Sequence, residues 1–205
     1  LVIFLGLPIT IIAVLVWFTS KGSILYWSDR VGSNNVVFKM PKFRSMKVGT
    51  VAVATHLLVD PKIVLTQFGG FLRKSSLDEL PQLWSVIKGD MSFVGPRPQT
   101  RPHYSLYTPE QRRIIDAVGP GLTGVGSLFF RNEEEILANC EDPIQFHDEI
   151  ITPFKGDLEV WFAEHRSLKL YLLIIYLTAA SIINRKLVTI KYFKGLPNPS
   201  AELLE

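Results

Sequence analysis

The sequence contains very little cysteine and no familiar nucleotide-binding loop. Cys140 is the only cysteine among 205 residues, so the chain cannot form an internal disulfide. A cysteine-based zinc site is also excluded, and the four histidines are too scattered along the sequence to form the spaced pairs that zinc domains use. Because neither a Walker A loop nor a G-x-G-x-x-G turn occurs, nucleotide phosphates would not be held by a standard phosphate-binding loop.

Charge is also scarce, and its distribution is uneven. Charged residues make up 20% of the chain and hydrophobic residues 47%, with a mean hydropathy of +0.22, which excludes a disordered or collagen-like chain. Basic residues outnumber acidic ones in 1–107 and 166–205, whereas acidic residues dominate 108–165. Ordinary solvated charge is one explanation; attraction to an anionic membrane, at about 1 kcal/mol per nearby Lys or Arg, is the other. No nucleic-acid-binding module is recognisable, so nucleic acid is not an expected partner.

Residues 1–18 form a charge-free apolar run. As a helix this run would extend about 27 Å, at ~1.5 Å per residue, against a bilayer core roughly 30 Å thick. Pro8 removes a backbone hydrogen bond and kinks a helix, so we expect residues 1–20 to form a re-entrant membrane helix that turns back without crossing. A buried core helix is the alternative. The basic residues that follow predict a cytoplasmic flank by the positive-inside rule.

A second apolar stretch, at about 168–183, carries Lys169 and is too short to span a bilayer comfortably. Basic residues flank it, which leaves two alternatives open: a core helix, or a helix lying in the membrane interface with its cations near the headgroups. The flanking cations are Arg166, Arg185, Lys186, Lys191 and Lys194.

Between these stretches the pattern predicts a mixed fold, mainly α with a small β element, in which residues 21–205 form a single catalytic domain. A β-prone run at 36–40 ends at Pro41, and 120–124 is typical of a turn. The sequence Ser76-x-x-Glu79 predicts a capping box for a helix that stops at Gly89. A further helix is expected at 108–118, with Thr108 as its cap. Two polar helices are expected at 133–139 and 157–165.

The adjacent carboxylates Asp78 and Glu79 are the main candidates for chemistry. Acidic residues are favoured in the first turn of any helix, which is the structural explanation for the pair. Basic residues surround it, however, and carboxylates that can hold a hard cation beside arginines suit a phosphate or pyrophosphate substrate. A carboxylate can also attack phosphorus as a nucleophile. The basic candidates are Lys42, Arg44, Arg73, Lys74 and Arg97, the last held between two prolines.

Several motifs together carry a family resemblance. They are the apolar segment with Pro8, Arg30-Val31-Gly32, Lys42-Phe43-Arg44-Ser45-Met46, the block from Leu72-Arg73-Lys74 through Asp78-Glu79 to Pro96-Arg97-Pro98, Pro120-Gly121-Leu122-Thr123-Gly124, and Arg166-Ser167-Leu168. On these residues the sequence resembles the bacterial sugar transferases, the small monotopic phosphoglycosyl transferases. The departures lie outside the central block, at Gly22-Ser23, Ser28, Ser127 and 169–173.

The resemblance implies a re-entrant helix kinked at Pro8, and interfacial helices around a compact catalytic domain on the cytoplasmic face of the bacterial inner membrane. It implies that Asp78 attacks a nucleoside diphosphate sugar, usually a UDP-sugar, with release of UMP. The phosphosugar then passes from Asp78 to polyprenyl phosphate, the first membrane step of glycoconjugate assembly. Mg²⁺ is the implied cofactor, held by Asp78 and Glu79.

Further roles follow from the same resemblance. Glu79 would be the metal-binding or acid/base partner of Asp78, and Arg97 would meet the substrate phosphates, with Arg73, Lys42 and Arg44 as further candidates. The phospholipid membrane is an expected partner, and a homo-oligomer is compatible with the sequence. Two other functions stay open at this point: a non-catalytic membrane protein that binds nucleotide sugars, and a membrane-attached nucleotide-sugar hydrolase.

Overall fold

The computed structural model of the protein describes residues 2–50, 61–184 and 190–203. Over these residues the fold is mainly helical with a small β component, as the sequence predicts. The chain divides into two compact units, the first formed by Leu1–Ser28 and Lys39–Ile87, the second by Asp29–Phe38 and Lys88–Glu205.

The first unit contains most of the N-terminal elements. They are helices α1 (Val2–Thr19), α2 (Pro61–Val64), α3 (Gly69–Ser75) and α4 (Leu83–Lys88), a 3₁₀ turn at Leu77–Gln82, and the outer parts of strands β1 (Leu25–Val31) and β2 (Val37–Phe43). Strands β1 and β2 pair as a two-stranded sheet, and the loop between them, with its adjoining strand ends, belongs to the second unit.

Helix α1 has one buried side and one exposed apolar side. Ile12 and Val16 pack in a cluster of buried side chains with Phe43 of β2 and Leu72 of α3. On its other side Trp17 and other apolar side chains are exposed; they include Leu7, Ile11 and Phe18. Among the described residues no helix has both the length and the apolar content needed to cross a membrane.

Two details of the first unit correct the sequence-based expectations. Strand β2 does not end at Pro41 but continues to Phe43, because a two-stranded sheet leaves each strand one free edge where a proline nitrogen needs no partner. Ser76 makes no capping hydrogen bond, because its φ of 58° is left-handed, so the predicted capping box is absent. Ser76 ends α3, and the turn that it opens, Leu77–Gln82, is 3₁₀ and not α-helical. The following α-helix starts only at Leu83 and ends, as predicted, before Gly89.

The second unit holds the remaining elements. They are β3 (Ser92–Val94), α5 (Arg101–Ser105), α6 (Pro109–Val118), β4 (Gly121–Thr123), α7 (Val125–Phe129), α8 (Glu133–Ala138), α9 (Pro143–Phe146), a π-helical turn at His147–Ile151, α10 (Thr152–Glu164), α11 (Leu168–Ile183), and 3₁₀ turns at Ile190–Tyr192 and Ala201–Leu203. Helix α6 begins with the predicted cap: the Thr108 side chain accepts from the Gln111 N–H, and the Gln111 side chain accepts from the Thr108 N–H. Helix α8 confirms the helix expected at 133–139.

Helix α10 forms the centre of the core of this unit. Its Leu158 and Phe162 pack with Val125 of α7, Val94 of β3 and Ile174 of α11. The helix expected at 157–165 is confirmed as the C-terminal part of α10, which ends at Glu164. Its expected polar character was wrong, because Leu158, Trp161 and Phe162 are buried. The predicted turn at 120–124 was wrong too: β4 pairs in parallel with β3, Ser92 opposite Gly121 and Val94 opposite Thr123.

Helix α11 has the bounds that the sequence predicts, and one of its sides confirms the core-helix alternative. Leu170, Ile174 and Leu177 are buried in the core cluster. Its opposite side is apolar and open, with Tyr176 67% and Ile183 89% exposed. The flanking Arg185 and Lys186 lie outside the described residues.

Candidate active site

The Asp78-Glu79 pair lies in the 3₁₀ turn Leu77–Gln82, directly after the left-handed residue Ser76. Leu77 and Leu80 of this turn pack against the cluster formed by Ile12, Val16, Phe43 and Leu72. Leu77 and Leu80 flank the acidic pair and hold the turn on this core. The apolar helix α1 and the acidic turn thus share one packed cluster.

A lysine from strand β2 reaches this turn. Nζ of Lys42 donates to Oε1 of Glu79 at 2.8 Å, and the exposed fractions of the two side chains are 19% and 20%. Asp78 is more deeply placed, at 7% exposure. An ion pair that is mostly removed from water is stronger than a surface pair, and it fixes the direction of the Glu79 carboxylate.

The two arginines of the first unit have different surroundings. Nη1 of Arg73, in the last turn of α3, is buried and has no hydrogen-bond partner within the described part of the chain. A buried donor of this kind is costly unless a ligand or water satisfies it. Arg44 instead donates to the backbone oxygen of Ser23 at 2.8 Å and to its hydroxyl at 2.7 Å, which ties β2 to the segment after α1.

Arg97 belongs to the second unit, in the loop after β3. Gly95 donates to the backbone oxygen of Thr123 at 2.9 Å, and Gly121 donates to the backbone oxygen of Pro96 at 2.8 Å. A Cβ on Gly121 would lie 2.1 Å from the nitrogen of Gly95, so only glycine permits this approach. The backbone of the Pro-Gly-Leu-Thr-Gly motif therefore fixes the position of the Pro-Arg-Pro loop.

Sequence reasoning missed Glu159, which lies beneath this loop. It is 3% exposed, and its carboxylate accepts from the backbone N–H groups of Arg97 and Gly126. Burial raises the pKa of Glu159 to about 7, against the opposing effect of these N–H groups and of the nearby Lys155 charge. The sequence did carry a signal, because Lys155 and Glu159 lie four residues apart, the spacing that puts two side chains on one helix face.

Lys155, whose charge acts on Glu159, also forms an ion pair with Glu133. Its ammonium group donates to both carboxylate oxygens of Glu133 at 2.7 Å. Although burial opposes it, the hydrogen bond from His147 and the charge of Lys155 lower the pKa of Glu133 to about 2. Burial lowers the pKa of Lys155, and Glu133 partly offsets that effect.

Two histidines come together in this unit, contrary to the expectation that no pair forms. The ring centroids of His103 and His147 are 4.8 Å apart, and Asp148 lies beside them. Burial, and next the charge of His147, lower the pKa of His103. No local signal predicts this pair, since His103 and His147 lie on separate elements that only the tertiary fold brings together.

Comparison with known proteins identifies the family of the chain. The chain belongs to the bacterial sugar transferase family, whose model matches residues 1–185. It is 37% identical, over 85% of its length, to a UDP-glucose:undecaprenyl-phosphate glucose-1-phosphate transferase of Xanthomonas campestris pv. campestris, and covers 34% of that protein.

The names of the relatives include more than one sugar. The chain is 36% identical, over 74% of its length and 32% of the relative, to the UDP-glucose:undecaprenyl-phosphate glucose-1-phosphate transferase of Escherichia coli strain K12. It is 31% identical, over 83% of its length and 38% of the relative, to the UDP-N-acetylgalactosamine-undecaprenyl-phosphate N-acetylgalactosaminephosphotransferase of Aeromonas hydrophila. The chain thus spans about a third of the length of the curated relatives it matches.

Proposed function

We propose that the protein transfers a sugar-1-phosphate from a nucleoside diphosphate sugar, a UDP-sugar, to polyprenyl phosphate, giving polyprenyl diphosphate sugar and UMP. The observation that carries this proposal is the turn bearing Asp78 and Glu79, which rests on the same apolar cluster as α1. A water-soluble nucleotide and a lipid phosphate can share one site only where charged chemistry lies next to a membrane-binding element. The names of the relatives support both substrates.

The proposed reaction has two displacements at phosphorus. A carboxylate oxygen of Asp78 attacks the β-phosphorus of the UDP-sugar, and the bond from that phosphorus to the bridging oxygen breaks and releases UMP. A phosphate oxygen of polyprenyl phosphate then attacks the phosphosugar on Asp78. That second step forms the diphosphate and returns the Asp78 carboxylate, so no proton or electron is left unbalanced.

Oxygen ligands on adjacent residues suit Mg²⁺, and Asp78 and Glu79 would hold it. When bound, Mg²⁺ neutralises negative charge on the diphosphate. The ammonium group of Lys42 holds the Glu79 carboxylate in one direction and adds positive charge beside it.

Arg73 adds a donor to the proposed phosphate site of the first unit, because a substrate phosphate oxygen could satisfy its buried Nη1. The role of Arg97 at the substrate phosphates stays a prediction from the family resemblance. Within the second unit the Glu159 carboxylate fixes the backbone of Arg97. Arg44 would have to leave Ser23 to reach a phosphate, so its contacts support a role in holding the segment after α1.

The same proposal includes the membrane. Helix α1 would enter the bilayer as a re-entrant helix at Pro8, and α11 would lie in the interface, at the cytoplasmic face of the bacterial inner membrane. The exposed apolar sides of both helices support this, because Trp17, Tyr176 and Ile183 would otherwise face water. A single catalytic domain over 21–205 stays a prediction.

A reconstituted assay tests the proposal. The purified full chain in lipid nanodiscs receives Mg²⁺ and a panel of UDP-sugars, with and without polyprenyl phosphate, while UMP and the lipid product are measured. We expect UMP and polyprenyl diphosphate sugar in equal amounts for one sugar of the panel. Sustained UMP release without the lipid would indicate a hydrolase, and binding of UDP-sugar without any UMP would indicate a non-catalytic protein.

A further inference from the structure

We propose that His103, His147 and Asp148 form a binding site for a late first-row divalent metal ion of the Zn²⁺ class. This site lies in the second unit and has a different ligand chemistry from the Asp78-Glu79 pair. Nothing in the proposed transfer reaction uses these residues, and the proposal does not depend on that reaction.

The geometry of the three side chains carries the proposal. Helix α5 supplies His103, and the π-helical turn His147–Ile151 supplies the other two residues. One ligand atom from each residue lies within 4.8 Å of the other two. Ligands of one tetrahedral zinc ion, at bond lengths of roughly 2.0–2.2 Å, lie about 3.4 Å apart, so small side-chain rotations bring the three atoms to bonding distance.

The surroundings of His147 match those of a metal-binding histidine. Its Nδ1 lies 2.7 Å from Oδ1 of Asp148, on the side of the proposed ion. Its Nε2 lies 3.4 Å from Oε1 of Glu133, and Lys155 holds both oxygens of that carboxylate at 2.7 Å. A histidine that binds a metal through one nitrogen and donates from the other to a fixed carboxylate is the usual outer-shell arrangement of zinc sites.

Exposure and donor type determine which ion fits. His147 is buried with its side chain 7% exposed, whereas Asp148 is 36% exposed and His103 is half-buried, so an ion can enter from solvent. Three protein ligands leave a fourth position for water or an anion. Two imidazoles with one carboxylate favour Zn²⁺ over Mg²⁺, which prefers oxygen ligands and keeps its waters.

Metal titration of the untagged full chain, treated with chelator and without substrate, tests the site. Calorimetry should show one saturable Zn²⁺ site. His103→Gln and Asp148→Asn should each weaken its affinity at least about 100-fold, the upper end of the roughly 10–100-fold that loss of an outer-shell partner costs. Both side chains are partly exposed, so the metal-free variants should keep the unfolding midpoint of the parent chain.

Matched controls separate this site from other ligands. His165→Gln removes an exposed histidine whose Nδ1 hydrogen-bonds the backbone oxygen of Trp161. This variant should leave the Zn²⁺ affinity unchanged. Asp78→Asn should also leave it unchanged, which keeps the result independent of the proposed transfer reaction. Zn²⁺ affinity that follows Asp78 instead of His103 would overturn the assignment, as would the absence of saturable binding.

Cobalt substitution of the parent chain provides a second measurement that needs no variant. Co²⁺ in a site with two imidazoles and a carboxylate should give the intense visible bands of four- or five-coordinate cobalt, and Zn²⁺ should displace them. A weak spectrum typical of six oxygen ligands would contradict the proposal even if the variants failed to fold.

Discussion

The ammonium group of Lys42 lies 2.8 Å from Oε1 of Glu79, and this contact joins a strand to the acidic turn of the first unit. Two consecutive carboxylates repel each other, and Asp78 is nearly buried. A fixed cation beside Glu79 reduces that repulsion, and in the proposed reaction it leaves the Asp78 carboxylate available to attack phosphorus. In the proposed reaction Lys42 would therefore act through Glu79.

Lys42→Met should lower turnover by about 100-fold, because a hydrogen bond between charged groups contributes up to roughly 3 kcal/mol. If Lys42 acts through Glu79, the double variant Lys42→Met/Glu79→Gln should be no slower than Glu79→Gln alone. Steady-state UMP release from all four proteins measures this. Independent, additive losses in the double variant would show that Lys42 has a separate role, such as direct contact with substrate.

Glu159 should make the stability of the protein depend on pH. Its pKa rises from 4.5 in the unfolded chain to about 7 in the fold. Between these two pH values the Glu159 carboxyl is therefore protonated in the folded state and ionised in the unfolded state. Stability then falls as pH rises from about 4.5 to 7, by about 3 kcal/mol from this group. Glu159→Gln cannot titrate, and its free energy of unfolding should change less over this range.

Denaturant unfolding of the parent chain and of Glu159→Gln at several pH values measures that difference. Glu164→Gln is a suitable control, since Glu164 lies on the same helix α10 but is exposed. Identical pH profiles for the parent chain and Glu159→Gln would mean that Glu159 is already ionised at pH 5 in the fold.

The sequence predicted elements whose signals are local. Helix α6 is fixed by Thr108 and Gln111, three residues apart, and α11 by a mostly apolar run after Ser167. Strand β4 was missed because its partner is β3, and parallel pairing leaves no mark on a three-residue segment. The candidate functional residues of each unit differ in the same way. The adjacent carboxylates of the first unit are visible in the sequence, whereas the contact of Glu159 with the Arg97 backbone in the second unit arises only from packing.

The basic residues near the C-terminus should tune membrane attachment and not catalysis. Replacing Lys186, Lys191 and Lys194 by Gln should weaken binding to anionic vesicles, more strongly at low salt, because screening shortens the range of the attraction. Vesicle sedimentation at two salt concentrations measures the effect. Equal losses on neutral vesicles would contradict an electrostatic cause, and UMP release in detergent should stay unchanged.

Helix α1 should be re-entrant in the membrane. A cysteine introduced before Leu1 should be protected from a membrane-impermeant thiol reagent applied outside intact cells, and should react after the cells are opened. The background variant Cys140→Ser removes the natural thiol. Labelling of intact cells from outside would show that α1 crosses the bilayer. Pro8→Ala should increase labelling of intact cells from outside, because it restores the missing backbone hydrogen bond and favours a helix that crosses the bilayer.

The role of Asp78 is tested by removing its charge without changing its size. Asp78→Asn keeps the shape of the side chain, so the turn should stay packed on Leu77 and Leu80 and the unfolding midpoint should stay close to that of the parent chain. A neutral amide is a poor nucleophile, and turnover should fall by about four orders of magnitude or more, an effect of at least ~5 kcal/mol on the barrier.

Trapping separates nucleophilic attack from metal binding. The parent enzyme, mixed with Mg²⁺ and UDP-sugar but no polyprenyl phosphate, should release one equivalent of UMP and carry one phosphosugar adduct. Peptide mass spectrometry after rapid quenching should map that adduct to Asp78, and Glu79→Gln should form it slowly at the same residue. If UMP appears only after polyprenyl phosphate is added and no adduct forms, the lipid phosphate attacks the UDP-sugar directly. Asp78 would then hold the metal or the substrate without bonding to phosphorus, although the substrates would be the same.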